Sequence, residues 1–123
     1  MTILAGVAAF LGSGALPAAA STTAPSLTWT QLSPATSPPA RYSASMAYDP
    51  ATGNMVLFGG IGSSGNALSD TWTWNGTTWT ELSPATSPPA RVGASMAYDP
   101  ATGDMVLFGG IGSSDELLSD TWT

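Results

Sequence analysis

The sequence has 123 residues and a formal net charge of −6, which comes from eight acidic side chains and only two arginines. Charged residues make up 8% of the chain, against roughly 25% in a typical soluble domain, so Ser, Thr, Asn and Gly must solvate much of the surface. The sequence contains no Cys, His or Lys, which excludes disulfides, thiolate chemistry, zinc sites and imidazole catalysis, and argues against nucleic acid and anionic membranes as partners.

Residues 1–20 have the pattern of a leader for export. The stretch Ile3–Leu16 is apolar and rich in small residues, and the run Ala18–Ala20 fits an A-x-A cleavage site. No basic residue precedes Arg41, which departs from the usual charged start, and the apolar stretch is shorter than the roughly 20 residues that span a bilayer. We predict a helical signal peptide at 1–20, a linker at 21–26, and an extracellular, periplasmic or cell-surface protein that is not inserted in the membrane once the leader is removed. A buried helix and a membrane anchor are the alternatives.

A shift of 50 residues brings the chain into register with itself. Residues 28–73 then align with residues 78–123, and only seven of the 46 pairs differ. These pairs are Gln31/Glu81, Tyr42/Val92, Ser43/Gly93, Asn54/Asp104, Gly65/Asp115, Asn66/Glu116 and Ala67/Leu117. One unit has therefore been duplicated, and two repeats, at about 28–77 and 78–123, make up the region 27–123.

The first half of each repeat predicts a β-hairpin. In the first repeat, the small-residue stretch Ser43–Asp49 forms strand a, and the apolar run Met55–Phe58 forms strand b before the pair Gly59–Gly60. The connecting sequence Asp49–Gly53 has a proline that presets φ and a glycine that accepts a left-handed conformation, which is typical of a tight turn.

The second half of each repeat predicts a second hairpin. Strand c, Asp70–Trp74, alternates with period two, and the turn signal Asn75–Gly76 leads into strand d, Thr78–Leu82. The four strands of a repeat are expected to be antiparallel. Two longer loops remain, Ser33–Arg41 between strands d and a and Ile61–Ser69 between strands b and c.

Four features of the repeat resemble a kelch repeat. They are Arg41, the diglycine Gly59–Gly60 after an apolar strand, the pair Ser69–Asp70 before an aromatic strand, and Trp79 near the end of the unit. The period of 50 also agrees with the kelch value. The chain is thus similar to kelch-repeat proteins of the bacterial secreted type, in the superfamily of galactose oxidase. The resemblance implies an all-β fold of kelch-type β-propeller blades, two four-stranded antiparallel units with strand a innermost; a β-sandwich is the alternative.

Two blades are too few to close a ring, because propellers have about four to eight. The chain is expected to begin with a d strand, Leu27–Leu32, and to end in a c strand, Ser119–Thr123. We therefore predict an incomplete ring, and we interpret the chain as a fragment of a larger propeller. Self-association between copies to complete a propeller is the alternative.

No residue pattern predicts catalysis, a cofactor or a metal. Galactose oxidase, in the family that the repeat resembles, holds copper with histidines and a tyrosine joined to a cysteine, and this sequence has neither His nor Cys. Two interpretations are open for the acidic residues Asp115, Glu116 and Asp120, a calcium site and a solvated acidic loop, and we favour the loop. We predict a binding module that is not an enzyme; the alternative is the non-catalytic part of a kelch-propeller oxidase or glycan hydrolase whose catalytic residues lie in missing blades.

Strand direction predicts where a ligand binds. Because strands a to d run antiparallel, the two long loops emerge on one face of the sheet and the tight turns on the other. Five of the seven differences between the repeats lie on or beside the long-loop face, where loops on a rigid scaffold commonly carry recognition, although long loops also tolerate drift. We predict a protein or glycan ligand there, contacted by Arg41, Asn66, Arg91, Asp115 and Glu116. For the two arginines, a structural role that joins neighbouring loops is the alternative.

Overall fold

The computed structural model describes Gly14, Ala18, Ala19 and residues 24–123. The signal peptide predicted at 1–20 lies almost entirely outside these residues and stays a prediction. The described residues form strands, turns and loops without any helix, which confirms the all-β prediction. Among them, no segment is a helix of the length and apolarity needed to cross a bilayer.

Eleven strands are assigned, all within the unit Leu32–Thr123. In chain order they are β1 (Arg41–Tyr42), β2 (Ser45–Asp49), β3 (Asn54–Phe58), β4 (Ile61–Gly62), β5 (Thr71–Trp74), β6 (Trp79–Leu82), β7 (Arg91–Val92), β8 (Ser95–Asp99), β9 (Asp104–Phe108), β10 (Ile111–Gly112) and β11 (Thr121–Trp122).

Two larger antiparallel sheets form, and the boundary between them comes after Leu82, because β6 completes the first sheet although it lies in 78–123. From here on, the first repeat denotes strands β1 to β6 and the second repeat denotes strands β7 to β11. The first sheet has four strands in the order β2-β3-β5-β6, and the second has three in the order β8-β9-β11. Strands β2, β3, β5 and β6 match the predicted strands a to d to within two residues at each end, which confirms the strand prediction for the first repeat. The register repeats as well, since Ser45 pairs with Phe58 and Ser95 pairs with Phe108.

The two tight turns form through the local chemistry that the sequence indicates. Gly53 N donates to Asp49 O at 2.8 Å, and Asp49 Oδ1 accepts a bond from Ala51 N at 2.9 Å. In the second turn, Asn75 Oδ1 accepts bonds from Thr77 N at 3.0 Å and Thr78 N at 2.8 Å. A side chain that satisfies the turn backbone is why Asp and Asn precede reversals of this kind.

The prediction of a d strand at Leu27–Leu32 is wrong. No strand is assigned there, and Trp29 is 92% exposed, whereas the equivalent Trp79 is half-buried in β6 and pairs with Trp74. Strand β6 follows its partner across a two-residue turn. No described residue pairs with Leu27–Leu32, and a single outer strand is not stable without a neighbour to pair with.

Part of the hydrophobic core lies between the two sheets, where β2 lies against β8; Trp72, 6% exposed, is buried on the other side of the first sheet. Phe58 on the first sheet is 4% exposed, and Leu107 on the second sheet is also buried. Burial of a side chain of this size stabilises the folded chain by roughly 1.5 to 3 kcal/mol.

The register places Ser45 and Phe58 on one side of the first sheet, which we call the front face, and Met46 on the other side, the back face. The front face of the first sheet therefore packs on the back face of the second.

Hydrogen bonds join the start of the second repeat to the first repeat. The segment 91–94 runs along the loops of the first repeat and exchanges four bonds with it. They run from Gly60 N to Arg91 O at 3.0 Å, from Arg91 N to Leu68 O at 3.1 Å, from Gly93 N to Ser43 O at 2.9 Å and from Ser45 Oγ to Ala94 O at 2.6 Å. Residues 32–123 thus form one packed unit in which each repeat has a fixed orientation.

Candidate ligand-binding face

Two short ladders hold the long loops beside each other. Strand β1 pairs with β4, with Arg41 opposite Gly62 and Tyr42 opposite Ile61, and β7 pairs with β10 in the same register in the second repeat. Each ladder joins the end of the d-to-a loop to the start of the b-to-c loop. This confirms that the two long loops of a repeat lie on one face. The ladders were not predicted, because strands of two residues have no readable periodicity.

The b-to-c loop of the first repeat is itself a tight hairpin. Gly65 N donates to Gly62 O at 3.0 Å, and Gly62 N donates to Asn66 O at 3.2 Å. Gly65 has a φ of 80°, in the left-handed region. This combination is the pattern of a three-residue hairpin loop closed by a left-handed residue. The spacing of Gly62 and Gly65 is the signal in the sequence that would have indicated it.

In the second repeat the left-handed position is occupied by Asp115, with a φ of 61°. The hydrogen bonds are otherwise the same, since Asp115 N donates to Gly112 O at 3.1 Å and Gly112 N donates to Glu116 O at 2.9 Å. A residue other than glycine in this conformation costs on the order of 1 kcal/mol or more, although Asp is tolerated better than most. The loop therefore keeps a carboxylate at a position that glycine would fill with less strain.

A cavity of about 300 Å³ lies between the b-to-c loops of the two repeats. Its apolar lining comes from both repeats, with Ile61 from the first and Val92 and Ile111 from the second. Asn66 and Asp115 bring an amide and a carboxylate to the same space. Apolar walls with a few convergent polar groups are the usual composition of a small-ligand site.

Three of the five predicted contact residues lie at this cavity or beside it. Asn66 and Asp115 line it, and both are exposed. Glu116 follows in the same loop and is exposed, and its Oε2 accepts a bond from Ser114 N at 2.9 Å. The side chain of Glu116 lies over Gly112, so any side chain at position 112 would displace it.

Arg41 lies instead in a cluster that ties together three segments of the first repeat. Its Nη1 and Nη2 donate to the two carboxylate oxygens of Asp70 at 2.6 and 2.7 Å, and Nη1 also donates to Gly59 O at 3.1 Å. Trp72 Nε1 donates to Asp70 Oδ2 at 2.6 Å. The paired geometry of arginine and carboxylate is the strong form of this interaction.

Arg91 repeats the arrangement in the second repeat and is 1% exposed. It donates to Asp120 at 2.6 and 2.8 Å and to Gly109 O at 3.0 Å, and Trp122 Nε1 donates to Asp120 Oδ2 at 2.7 Å. Because both guanidinium groups bond to other parts of the chain, these contacts support a structural role for the two arginines, in which they join neighbouring loops. Ligand contact by either arginine stays a prediction.

These clusters change the acidity of two carboxyl groups. The hydrogen bond from Arg41 lowers the pKa of Asp70, and the bond from Trp72 adds to this effect. The hydrogen bonds from Arg91 and Trp122 hold the pKa of Asp120 well below its ordinary range. Both groups are therefore carboxylates at neutral pH and favour the folded state in that form.

We expect the unfolding temperature of the chain to fall as the pH is lowered below about 4. The pKa values of Asp70 and Asp120 are lower in the folded chain than in the unfolded chain, so protons bind preferentially to the unfolded chain. The stabilisation is complete above the unfolded-state pKa and is lost as the pH falls towards the folded-state values. Thermal unfolding from pH 7 to pH 2 measures this, with the double variant Asp70→Asn, Asp120→Asn as the comparison. Equal pH dependence in the two proteins would contradict the assignment.

No group of three or more acidic, Cys or His side chains is positioned to hold a metal ion in the described part of the chain. Asp115, Glu116 and Asp120 therefore do not come together as a calcium site, and Asp120 is committed to Arg91. No family model matches this chain, and neither does any curated protein.

Proposed function

We propose that this chain is a secreted or cell-surface binding module of the kelch type. In this proposal the two repeats are blades of a β-propeller, and the b-to-c loops recognise a protein or glycan ligand. The antiparallel sheet of each repeat and the side-by-side packing of the sheets support a blade arrangement. The arginine clusters support it too, because they form at the positions that resemble the kelch pattern, where Arg41 meets Gly59 and Asp70.

The cavity between the loops is the observation that carries the proposal. It lies where the repeats differ most, since Asn66 and Asp115 both line it and both belong to pairs that changed after the duplication. The backbone supplies a second reason. Asp115 holds a left-handed conformation that Gly65 holds without a side chain, and strained residues of this kind are concentrated at functional sites.

The chemistry of the face indicates the kind of ligand. Asp115 and Glu116 are acceptors with negative charge, Asn66 offers both a donor and an acceptor, and Ile61 and Ile111 provide apolar surface. Such a site suits sugar hydroxyls above an apolar sugar face, or a basic side chain of a peptide. The net charge of −6 favours cationic over anionic ligands in either class.

Binding, rather than catalysis, is the activity that these groups support. Acid–base catalysis commonly uses a pair of titratable groups at one pocket whose environments give them different proton affinities. Of the described carboxylates, the one that lines the cavity is Asp115. Asp70 and Asp120 are held by arginines outside it.

An array of neutral and amino glycans together with Lys- and Arg-rich peptides tests the proposal. We expect a ligand from one of the two classes, and alanine at Asn66, Asp115 or Glu116 should weaken its binding about tenfold or more, as the loss of one charge-assisted hydrogen bond of about 1.4 to 3 kcal/mol requires. Thr102→Ala on the opposite, tight-turn face is the control, because Thr102 is exposed there. Loss of binding in Thr102→Ala alone would place the site on the tight-turn face and would contradict the proposal.

A second pair of variants separates binding from stability. Asp115→Gly should raise the unfolding temperature, because glycine relieves the left-handed strain, while it weakens ligand binding. Ser43→Gly is matched to it, since Ser43 also has a positive φ of 53° where the other repeat has glycine, and it should raise stability with binding unchanged. Unchanged binding in Asp115→Gly would remove Asp115 from the site.

A further inference from the structure

We propose that copies of this chain associate head to tail, with the second repeat of one copy packed against the first repeat of the next in the way that the two repeats pack within one chain. The inference does not depend on what the loop face binds. It follows from the near identity of the repeats. Each repeat carries both halves of the internal interface, and in the described residues each repeat uses only one of its two halves.

The unused front face belongs to the second sheet. In the first sheet, Ser45 and Phe58 are buried against the second repeat, and Phe58 is 4% exposed. Their counterparts on the second sheet are Ser95, which is exposed, and Phe108, which is 51% exposed. The same residues in the same register are therefore buried in one repeat and open to solvent in the other.

The unused back face belongs to the first sheet. In the second sheet, Met96 is half-buried beside Leu107, which is buried. In the first sheet the counterpart of Met96 is Met46, which is 53% exposed, and the counterpart of Leu107 is Leu57, which is half-buried. The free part of this back face lies on strand β2, where Met46 and Tyr48 are each 53% exposed, because Trp72 on the same side of the sheet is 6% exposed. The chain thus presents a free front face on the second sheet and a free back face on strand β2 of the first.

The hydrogen-bonding groups of the internal interface also recur at the two free faces. The four bonds that join the repeats use groups whose counterparts lie 50 residues away in sequence. On the free front face these are Gly110 N, Leu118 O, Gly93 O and Ser95 Oγ, and on the free back face they are Arg41 O, Arg41 N, Ser43 N and Ala44 O. Three of the four are backbone-to-backbone bonds, so they do not depend on which side chains differ.

The changed residues near the interface are compatible with this contact. Ala67 and Val92 line the internal cavity from opposite repeats. The corresponding pair between copies is Leu117, 85% exposed, and Tyr42, 63% exposed. Leu117 is larger than Ala67, and Tyr42 is larger than Val92. The contact between copies would therefore bury more apolar surface than the contact within a chain.

A depression on the first repeat has the same lining positions as one wall of the cavity between the loops. It has a volume of about 450 Å³ and is lined by Tyr42, Ile61, Gly62 and Gly65, together with their neighbours. The counterparts of these four residues, Val92, Ile111, Gly112 and Asp115, form the second repeat's wall of the internal cavity. A second copy placed head to tail would supply the missing wall from its b-to-c loop.

The occupant that the surface fits is therefore another copy of the same repeat pair. A contact of this kind joins two different faces, so it builds either a closed ring or an open chain of copies. The front face of the second sheet has the same Ser and Phe, in the same register, as the front face that already packs on a back face within the chain. A second copy therefore offers a matching surface without any further change.

Light scattering after size exclusion, over a range of protein concentrations, tests the proposal on the full chain. Ser95→Arg blocks the front face and Met46→Arg blocks the back face, and both positions are exposed in a single copy, so neither change should disturb the fold. We expect oligomers for the unmodified chain and for the control Thr102→Arg, and monomers for each blocked variant alone. An equimolar mixture of the two blocked variants should form a one-to-one dimer, because each keeps the face that the other lacks.

A monomeric unmodified chain at the highest soluble concentration would overturn the proposal. Association that both blocked variants retain would also overturn it, since another surface would then be responsible. Circular dichroism of the two variants, compared with Thr102→Arg, verifies that each one is folded. If one variant fails to fold, the other still decides whether its face carries the contact.

Discussion

Replacement of Arg91 by glutamine is expected to lower the free energy of unfolding by about 1 to 3 kcal/mol. Arg91 is 1% exposed and donates to Asp120, Gly109 O and Pro89 O. The shorter neutral side chain leaves Gly109 O without its donor, whereas Asp120, whose side chain is 40% exposed, can bond to water. The segment that carries Arg91 also bonds to Gly60 of the first repeat, so the loss should weaken the packing between repeats. The midpoint of urea unfolding in dilute solution measures the change.

Arg41→Gln is the matched control for this variant. Arg41 makes the same set of bonds within the first repeat, but among the described residues no other repeat bonds to its backbone as Gly60 and Leu68 bond to that of Arg91. We expect a smaller loss for Arg41→Gln than for Arg91→Gln. Equal effects would show that the burial of Arg91 between the repeats adds nothing, and a loss below about 1 kcal/mol in both would show that the clusters contribute little more than exposed ion pairs.

Replacement of Gly59 by alanine is expected to destabilise the chain strongly. Gly59 has a φ of 64°, which costs a residue with a side chain roughly 1 to 2 kcal/mol. In addition, a Cβ at this position would lie 2.5 Å from Arg91 O and 3.1 Å from Leu68 O. Both neighbours are backbone atoms, so the second repeat would have to move away from the first. We expect a loss of several kcal/mol in urea unfolding, with a less cooperative transition.

Two other glycines provide graded controls. Gly109 is the counterpart of Gly59, with a φ of 67°, but a Cβ there would meet only Leu118 O, at 3.1 Å. Gly53 has a φ of 75° and open space around it. The expected order of destabilisation is Gly59→Ala, then Gly109→Ala, then Gly53→Ala. A Gly59→Ala variant no less stable than Gly109→Ala would contradict the close approach of Arg91.

The strands of the repeat could be predicted because their signals are local. The turn at Asp49–Gly53 and the turn at Asn75–Gly76 each contain the residues that stabilise the reversal, and the strands on either side follow from it. Leu27–Leu32 has the same sequence pattern as β6 but lacks a partner strand, so its pattern alone predicted a strand that does not form. Whether this segment forms a strand depends on pairing with a neighbouring strand, and a local sequence pattern contains no information on that pairing.

The candidate site could be predicted only in part. Strand direction placed Asn66, Asp115 and Glu116 on one face, and comparison of the repeats singled out the same residues. The ion pair of Arg41 with Asp70 joins positions 29 residues apart, and neither periodicity nor spacing indicates such a contact. The strain at Asp115 was readable in principle, because it replaces a glycine in a G-S-S-G sequence, but only once the turn around Gly62 is known.

Amide hydrogen exchange at Gly60, Arg91 and Gly93 tests most directly whether the two repeats pack as one unit. These three amides donate across the interface between repeats, at 3.0, 3.1 and 2.9 Å. Their counterparts Gly110, Arg41 and Ser43 make no such bond to another repeat in the described part of the chain. The Ser95→Arg variant in dilute solution keeps copies apart during the measurement. We expect slow exchange for the first three amides and fast exchange for their counterparts, whereas equal rates within each pair would show that the repeats do not pack in this way.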